Sequence, residues 1–351
     1  MSPTGRPEGE CRSAQREGNP GWPTGRPEGE CRSAQREGAA TSVQRVAGAI
    51  ALSAALGVAA WPAAAQAPAP AGAPSALIAP APRIDTLKRI RDTGAIILGV
   101  REASVPFSFI DAQKQPQGYS VELCQHVAEA IRAELRMPRL EVKYLTVSSA
   151  NRIPALRENK VDLECGSTTN TRDRQQQVAF AYTTFVTGIK LLTKAGSGIG
   201  GIEDLRGKPV VVTKGTTSEK MLRQMNDERV LKLTLLEAKD HDESFRAVEE
   251  GKAVAFPMDD VLLYGLISKA AKPQDFAVVG KYLSVEPYAI MMRRDEPQLE
   301  RIVNRALNEL FQSGEIRRIY ARWFATRDFT VPMNQYLKEA FAVPNTHPAW
   351  P

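Results

Sequence analysis

The chain has 351 residues, of which 43% are hydrophobic and 25% are charged, the proportions of an ordinary soluble protein. Its length allows a large buried core and favours two structural units. The formal net charge is +6, yet the sequence contains no run of five basic residues and no zinc-finger or RNA-binding motif. We therefore predict no nucleic-acid partner, whereas a small acidic ligand is compatible with this charge.

The N-terminal segment carries a duplication. The stretch PTGRPEGECRSAQREG occupies residues 3–18 and is repeated without change at residues 23–38. Both copies are polar, and two copies without an apolar face cannot stack into a solenoid. We predict that residues 1–42 are disordered or are translated upstream sequence, with the true start of the protein near Val43.

A secretory signal peptide is predicted over residues 43–67. Arg45 supplies a positive charge, an uncharged apolar stretch follows it, and the small residues Ala65-Gln66-Ala67 form a cleavage site. An uncleaved membrane anchor is the alternative interpretation of this stretch. Residues 68–83 are rich in proline and alanine and are predicted to be an extended linker.

Cleavage after Ala67 would remove Cys11 and Cys31 and leave Cys124 and Cys165. An even pair of cysteines in an exported protein suggests one disulfide, although two buried free thiols would also fit the pattern. The three histidines of the chain are scattered and show no ligand spacing. We therefore predict neither a metal nor a cofactor.

From Arg83 onward, strand and helix patterns alternate in chain order. This alternation is typical of an α/β protein with parallel sheets, in which ligands bind at the carboxyl ends of the strands. Two such units follow one another, and the chain closes with helices. The predicted strands cover residues 95–100, 140–147, 161–166, 209–215, 231–238 and 253–258, and the predicted helices cover residues 121–135, 218–227, 241–251, 261–270 and 297–324.

Polar residues follow the predicted strands. Hydroxyl groups and backbone N–H groups at helix starts bind anions, and arginine binds carboxylates with two parallel hydrogen bonds. Taken singly, each residue could instead be a helix cap or a surface ion-pair partner. Taken together, they predict an anion-binding cleft. The candidates are Arg101, Ser149, Arg152, Ser167, Thr169, Arg174, Thr217, His241 and Asp259.

Several motifs carry a resemblance to a known family. The stretches ECGSTTN, GTTSE, KDH and MDD occur in this order and at compatible spacing, and the similarity extends over roughly residues 84–345. They resemble the periplasmic glutamate/aspartate-binding proteins of ABC importers, which belong to the family 3 solute-binding proteins. The resemblance covers the whole body of the chain that follows the predicted linker.

The resemblance implies a bilobed periplasmic-binding-protein fold, with two α/β lobes joined by two crossover strands. Lobe 1 would comprise residues 84–187 and 286–351, and lobe 2 residues 188–285. It also implies a monomer in the periplasm that captures L-glutamate or L-aspartate and delivers it to an inner-membrane ABC permease. Such a protein binds its ligand and is not an enzyme.

The resemblance also implies roles for individual residues. Arg174 would clamp the α-carboxylate of the ligand with help from Thr169 and Thr217. Asp259 and Ser167 would receive the α-ammonium group. The side-chain carboxylate of the ligand would be held by a group of four residues, namely Arg101, Ser149, Arg152 and His241.

Charge supports this interpretation independently. An acidic amino acid brings two carboxylates and one ammonium group, and their burial without partners would be costly. Three inward arginines and one aspartate match that pattern, with Arg172 expected to face solvent. One departure from the family pattern, Ala150, leaves the choice between glutamate and aspartate open.

Two alternatives from other functional classes remain. The same fold carries cyclohexadienyl-dehydratase-like enzymes and ligand sensors. An enzyme needs an acid or a base in the pocket, and His241 or Glu164 could be such a group. A sensor would normally continue into a membrane helix or a kinase, whereas the printed sequence ends in a polar tail.

Overall fold

The computed structural model describes residues 85–327 and 330–349, so the predictions for residues 1–42, 43–67 and 68–83 lie outside it. Its elements follow the predicted alternation of strands and helices. In the first part of the chain they are α1 Thr86–Thr93, β1 Ala95–Val100, β2 Ala103–Ser104, β3 Ser108–Ile110, β4 Pro116–Gln117, α2 Tyr119–Glu134, β5 Glu141–Thr146, α3 Arg152–Arg157, β6 Leu163–Glu164, α4 Arg172–Gln175, β7 Ala179–Phe180 and β8 Phe185–Thr187.

The second part of the chain continues the alternation and ends with helices. Its elements are β9 Ile189–Lys194, β10 Pro209–Thr213, α5 Thr217–Glu228, β11 Thr234–Ala238, α6 His241–Glu249, β12 Ala255–Asp259, α7 Asp260–Ile267, β13 Phe276–Val279, β14 Glu286–Tyr288, β15 Met291–Met292, α8 Pro297–Ser313, α9 Glu315–Phe324 and α10 Gln335–Ala342.

The first sheet has five strands in the order β5-β1-β6-β15-β7. Strand β1 is parallel to β5 and β6, as the sequence predicts. Helix α2 covers this sheet because Leu123, Val127 and Ile131, spaced four residues apart, lie on one face of the helix and are fully buried. We call the part of the chain built on this sheet lobe 1.

The second sheet has five strands in the order β11-β10-β12-β9-β13. Strand β10 is parallel to β11 and β12. Its three consecutive valines, Val210 to Val212, are buried, as expected for a strand covered on both faces. We call the part of the chain built on this sheet lobe 2.

The predicted parallel strands are present, but both sheets are mixed, because each also contains antiparallel strands. Ile189 at the start of β9 pairs with Asp259 at the end of β12, and Met291 at the start of β15 pairs with Glu164 at the end of β6. The chain therefore enters each sheet at the edge where the parallel strands end. A strand that starts at this edge has to run in the opposite direction.

Two short strands carry the chain between the sheets. Strands β8 and β14 pair with each other antiparallel, with Glu286 opposite Thr187 and Tyr288 opposite Phe185. Aromatic side chains pack around them: the ring of Phe107 lies 4.8 Å from that of Phe185 and 5.0 Å from that of Tyr288. Edge-to-face packing of this kind stabilises the crossover by more than burial alone.

The predicted disulfide is present. Cys124 in α2 is bonded to Cys165, which directly follows β6, and their Cα atoms are 6.1 Å apart. Both residues are fully buried. The bond ties α2 to the start of the segment that carries the hydroxyl-rich ECGSTTN motif.

Within the described residues, no helix is long and apolar enough to span a membrane. The same residues contain no cluster of three or more histidine, cysteine, aspartate or glutamate side chains that could hold a metal ion.

Candidate functional site

The predicted site residues come together where the carboxyl ends of the parallel strands meet. Arg101 directly follows β1, and Asp259 is the last residue of β12. Arg152 is the first residue of α3, and His241 is the first residue of α6. Parallel strands place their carboxyl ends on one edge of a sheet, so short polar segments far apart in the chain share one cleft.

Arg101 and Arg152 form the most deeply buried cationic part of the site, and each is 2% exposed. Nη2 of Arg101 donates a hydrogen bond to Oγ of Ser149 at 2.6 Å. Nη1 of Arg152 donates to Oγ1 of Thr168 at 2.5 Å and to the carbonyl oxygen of Ser167 at 3.3 Å. The structure therefore pairs Ser149 with Arg101 and places Arg152 near enough for its charge to act on Arg101.

Burial makes these two charges costly. Desolvation, together with the charge of Arg152, lowers the pKa of Arg101 to about 9, although the carboxylate of Glu164 opposes this effect. Desolvation also lowers the pKa of Arg152, against the opposing charge of Glu164. Two buried guanidinium groups are stabilised by an anion placed between them.

His241 lies in the same part of the cleft and is 1% exposed. Its Nδ1 is 3.0 Å from Oγ1 of Thr213. Burial lowers the pKa of His241 well below its usual value, and the charges of Arg101 and Arg152 lower it further. The imidazole is therefore neutral at pH 7, so it can take part in hydrogen bonds without adding charge to the site.

Arg174 connects the two lobes. Its Nη1 donates to the carbonyl oxygen of Thr169 at 2.8 Å, and its Nη2 donates to the carbonyl oxygen of Gly215, in lobe 2, at 3.2 Å. Burial and the charge of Arg152 lower its pKa to about 9. Arg172, two positions earlier, is exposed, which agrees with its predicted orientation toward solvent.

Asp259 is 2% exposed, and its Oδ2 accepts a hydrogen bond from the hydroxyl of Tyr288. Burial raises the pKa of Asp259 well above its usual value, and the nearby carboxylate of Glu286 raises it further. Although Asp259 immediately precedes α7, its side chain makes no capping hydrogen bond. Asp259 therefore occupies the N-cap position of α7, but its side chain does not cap the helix.

Thr217 differs from its expected arrangement. Its Oγ1 donates a hydrogen bond to Oε2 of Glu286 at 2.9 Å, a partner 69 positions later in the chain. The cap of α5 is Thr216, whose hydroxyl accepts a hydrogen bond from the backbone N–H of Glu219. Because a hydroxyl has one hydrogen to donate, a ligand carboxylate could bind Thr217 only by replacing Glu286 as acceptor.

Thr168, Glu164 and Glu286 are site residues that the sequence analysis did not assign a binding role. Oγ1 of Thr168 donates to Oε2 of Glu164 at 2.7 Å, so both residues support Arg152. Thr168 and Glu164 lie inside the ECGSTTN motif, close to the predicted site residues Ser167 and Thr169. This proximity was the signal in the sequence that could have identified them. Glu286 comes from a crossover strand with no polar motif of its own.

Several polar atoms of the site are buried without a partner. Among the described residues, eight buried side-chain nitrogen or oxygen atoms have no hydrogen-bond partner, and five of them belong to the predicted site. Buried polar atoms are nearly always paired in proteins, so this concentration indicates a place where a polar ligand binds. The five are Nε and Nη1 of Arg101, Nε of Arg152, Oγ of Ser167 and Oδ1 of Asp259.

Comparison with known proteins identifies the family. Residues 96–326 match the bacterial extracellular solute-binding proteins, family 3. The chain belongs to this family. The structure of a cysteine-binding protein from Campylobacter jejuni, which is 23% identical, superposes with a TM-score of 0.62 over 72% of this chain and 98% of that one. The predicted bilobed α/β fold is thereby confirmed.

Two family members named for acidic amino acids are similar over most of the chain. The L-glutamate/L-aspartate-binding protein of Pseudomonas aeruginosa is 44% identical over 266 residues, which cover 74% of this chain and 88% of that protein. The glutamate/aspartate import solute-binding protein of Escherichia coli K12 is 45% identical over 239 residues, which cover 68% and 79%. The resemblance drawn from the sequence motifs is confirmed.

Proposed function

We propose that this protein captures L-glutamate or L-aspartate in the periplasm and delivers it to an inner-membrane ABC permease. Its relatives from Pseudomonas aeruginosa and Escherichia coli, 44% and 45% identical, are named for the same two ligands. The family is one of extracellular solute-binding proteins. Binding and release, without chemistry on the ligand, is the activity that follows.

The observation that carries this proposal is the set of unpartnered buried atoms in the cleft. Guanidinium nitrogens of Arg101 and Arg152 and a carboxylate oxygen of Asp259 are all buried and unsatisfied. The two guanidinium groups need an anion, and the carboxylate oxygen of Asp259 needs a cation or a hydrogen-bond donor. An amino acid with a carboxylate on its side chain supplies both kinds of group in one small molecule.

We assign the ligand groups to the residues accordingly. Arg174 and Thr169 hold the α-carboxylate, with Thr217 joining them when it releases Glu286. Asp259 and Ser167 hold the α-ammonium group. The side-chain carboxylate lies among the residues of the buried cationic group, namely Arg101, Ser149, Arg152 and His241.

Closure of the lobes follows from the same contacts. Arg174 belongs to lobe 1 and donates to the backbone of Gly215 in lobe 2, whereas Asp259 and His241 belong to lobe 2. A ligand that binds residues of both lobes has a higher affinity for the closed arrangement and shifts the population toward it. We propose that the permease recognises this closed form.

A ligand panel tests the proposed function. Isothermal calorimetry on the exported protein should show binding of L-glutamate and L-aspartate, and much weaker binding of L-glutamine and L-asparagine. The amides have the same size, but they leave the two buried arginines without an anion. Equal affinity for glutamate and glutamine would contradict the assignment of the side-chain subsite.

Export is tested separately. We propose that the signal peptide is cleaved at the Ala65-Gln66-Ala67 site, so that the mature protein begins near residue 66 or 68. N-terminal sequencing of periplasmic protein should find a start in this range. Periplasmic protein that still carries the duplicated stretch at residues 3–18 would contradict it.

A further inference from the structure

The carboxylate of Glu164 lies in the cationic part of the site, although the proposed ligand contacts do not use it. The residue is fully buried. Its Oε2 accepts a hydrogen bond from Thr168 at 2.7 Å, and its Oε1 is buried without a partner among the described residues. A buried charge without a full set of hydrogen bonds is costly, so its position calls for an explanation.

Thr168 links Glu164 to Arg152. Since the hydroxyl of Thr168 has one hydrogen and faces a carboxylate, it donates to Glu164 and accepts the hydrogen bond from Arg152 at 2.5 Å. This gives one direction to the chain of hydrogen bonds, from guanidinium to hydroxyl to carboxylate. Each hydrogen bond in such a chain polarises the next.

Gly166 brings Glu164 close to Arg101 as well. A Cβ atom at Gly166 would lie 2.2 Å from Oε1 of Glu164 and 2.8 Å from Cγ of Arg101. The carboxylate of Glu164 and the side chain of Arg101 therefore both lie against Gly166, and a side chain at this position would clash with them. The charge of Glu164 opposes the lowering of the pKa of both arginines, which agrees with this proximity.

The net charge of the side-chain subsite depends on which of its groups are ionised. Arg101 and Arg152 contribute two positive charges, Glu164 contributes one negative charge, and His241 is neutral because of its lowered pKa. Asp240 also acts on Arg101, but it is half-buried just before His241 and lies 3.6 Å from the ammonium group of Lys239, which balances its charge. Asp259 acts on Arg152 and also on Arg174, and we count the charges of Asp259 and Arg174, which balance each other, outside the side-chain subsite. Tyr288, the other group acting on Arg101, keeps its proton because burial raises its pKa.

We propose that Glu164 sets the side-chain subsite at one net positive charge and thereby makes it selective for a ligand side chain with a single negative charge. This inference rests on the proposed binding of acidic amino acids. A side-chain carboxylate neutralises the subsite completely. A neutral amide would leave one positive charge buried, and a doubly charged group would leave one negative charge.

O-phospho-L-serine is a suitable probe of this count. Its phosphate is separated from Cα by the same number of bonds as the side-chain carboxylate of glutamate. The second ionisation of such a phosphate has a pKa of about 6, so the group carries one charge at pH 5 and two at pH 7.5. The ligand thus changes its charge while its shape stays the same.

The first experiment uses the wild-type protein. The ratio of the dissociation constants of phosphoserine and glutamate is measured by competition calorimetry at pH 5 and pH 7.5. We expect this ratio to rise by about tenfold or more with pH, because the second negative charge meets no counter-charge in the subsite. Taking the ratio cancels the effect of protein groups that act on the shared α-amino and α-carboxyl groups.

The second experiment uses three variants. Glu164→Gln keeps an oxygen that accepts from Thr168 but removes the charge, so the rise of the ratio with pH should disappear. Thr168→Val keeps the charge but breaks the link to Arg152, so it should weaken both ligands alike and keep the pH dependence. Glu134→Gln removes the same charge from an exposed ion pair with Arg305. It should change neither the affinities for the two ligands nor the pH dependence of their ratio.

The outcomes separate the two proposals. Wild-type protein that does not bind glutamate would contradict the proposed function and this inference with it. The inference alone is contradicted if the wild-type protein binds glutamate but the ratio of the two dissociation constants does not change with pH. It is also contradicted if the wild-type protein binds glutamate but not phosphoserine at either pH. The wild-type measurement decides the matter even if Glu164→Gln fails to fold, and a folded Glu164→Gln that keeps the wild-type pH dependence would also overturn the role of Glu164.

Discussion

Arg172 and Arg174 lie two positions apart in the sequence, but only Arg174 reaches the site. Thr171 caps the four-residue helix α4 and sets its direction. Arg174 then turns back toward Thr169 and Gly215, whereas Arg172 is exposed. The family resemblance assigned a ligand contact to Arg174, and the structure adds that Arg174 contacts both lobes.

The first prediction compares these two arginines. Arg174→Met should weaken glutamate binding by about two to four decades, because loss of one partner of a buried charge pair costs roughly 3 to 5 kcal/mol. Arg172→Met removes the same charge at an exposed position and should change the affinity little. Calorimetry on both variants, with circular dichroism to verify folding, is the measurement. Equal losses in the two variants would show that the wrong arginine has been assigned.

A second prediction concerns protons at Asp259. Burial and the charge of Glu286 raise the pKa of Asp259 in the ligand-free protein. An ammonium group beside it stabilises the carboxylate and lowers the pKa again. Ligand binding should therefore release a proton, and affinity should rise with pH until the pH exceeds the raised pKa of the free protein.

Calorimetry in buffers of different ionisation enthalpy counts the released protons. We expect release in the wild-type protein and none in Asp259→Asn, which should also bind about tenfold more weakly or worse. Asp260→Asn changes the neighbouring carboxylate, which accepts from Thr187 and Tyr282 outside the proposed ligand contacts, and should retain the release. Proton release that persists in Asp259→Asn would rule out Asp259 as its source.

At the scale of elements, the C-terminal segment holds the hydroxyl-rich segment of the site in place. Nδ2 of Asn170 donates to the carbonyl oxygens of Thr346 and His347 at 3.0 and 3.4 Å, and the N–H of Ala349 donates to the carbonyl oxygen of Asn170 at 2.7 Å. Asn170 is fully buried and directly follows Thr169. The segment proposed to contact the ligand is therefore held by hydrogen bonds to a tail 176 positions away.

The third prediction is that removal of this tail weakens binding. Truncation after Val343 deletes both acceptors of the Nδ2 group of Asn170, while Oδ1 keeps its hydrogen bond from Gln175. A buried donor left without a partner costs about 1 to 3 kcal/mol. Glutamate affinity should fall by about fivefold or more. The double variant Thr346→Ala with His347→Ala keeps the backbone carbonyl groups and should bind like the wild type. If this double variant is as weak as the truncation, the side chains and not the backbone hold the segment.

Most long elements were predictable, and the short ones were not. The apolar run at residues 95–100 and the pattern of buried residues in α2 correspond to elements that the structure contains. Strands β8, β14 and β15 have only two or three residues, too few to show a period. Strands β8 and β14 connect the lobes, and β15 makes the first sheet mixed, so the local sequence patterns alone did not predict these features. The second sheet is mixed because of β9, which has six residues, but the direction of a strand within a sheet is not visible in its own sequence.

At the scale of the whole molecule, the two lobes contact each other through glycine. A Cβ at Gly215 would lie 2.6 Å from Cα of Ala150, and a Cβ at Gly265 would lie 2.4 Å from the carbonyl oxygen of Val105. Lys220 of lobe 2 also forms an exposed ion pair with Asp173 of lobe 1. Such a pair contributes little, so the close approach at the glycines is what the closed arrangement requires.

The last prediction uses Gly265, which lies inside helix α7. Alanine is favoured over glycine in a helix by about 0.5 to 1 kcal/mol, so Gly265→Ala should not destabilise either lobe by itself. The added methyl group meets the backbone of Val105 only when the lobes are together, and overpacking of this kind costs about 1 to 3 kcal/mol. Glutamate affinity should therefore fall by about 5- to 150-fold, while the melting temperature of the ligand-free protein stays the same or rises.

Small-angle X-ray scattering should show that glutamate compacts Gly265→Ala less than it compacts the wild type. Gly201→Ala is the control, because a Cβ there meets no atom within 4 Å and its backbone is extended. A Gly265→Ala variant that binds and compacts like the wild type would show that the contact with Val105 is not part of the ligand-bound form. A variant that is equally weak but has a lower melting temperature would instead point to damage within α7, since closure cannot lower the stability of an open, ligand-free protein.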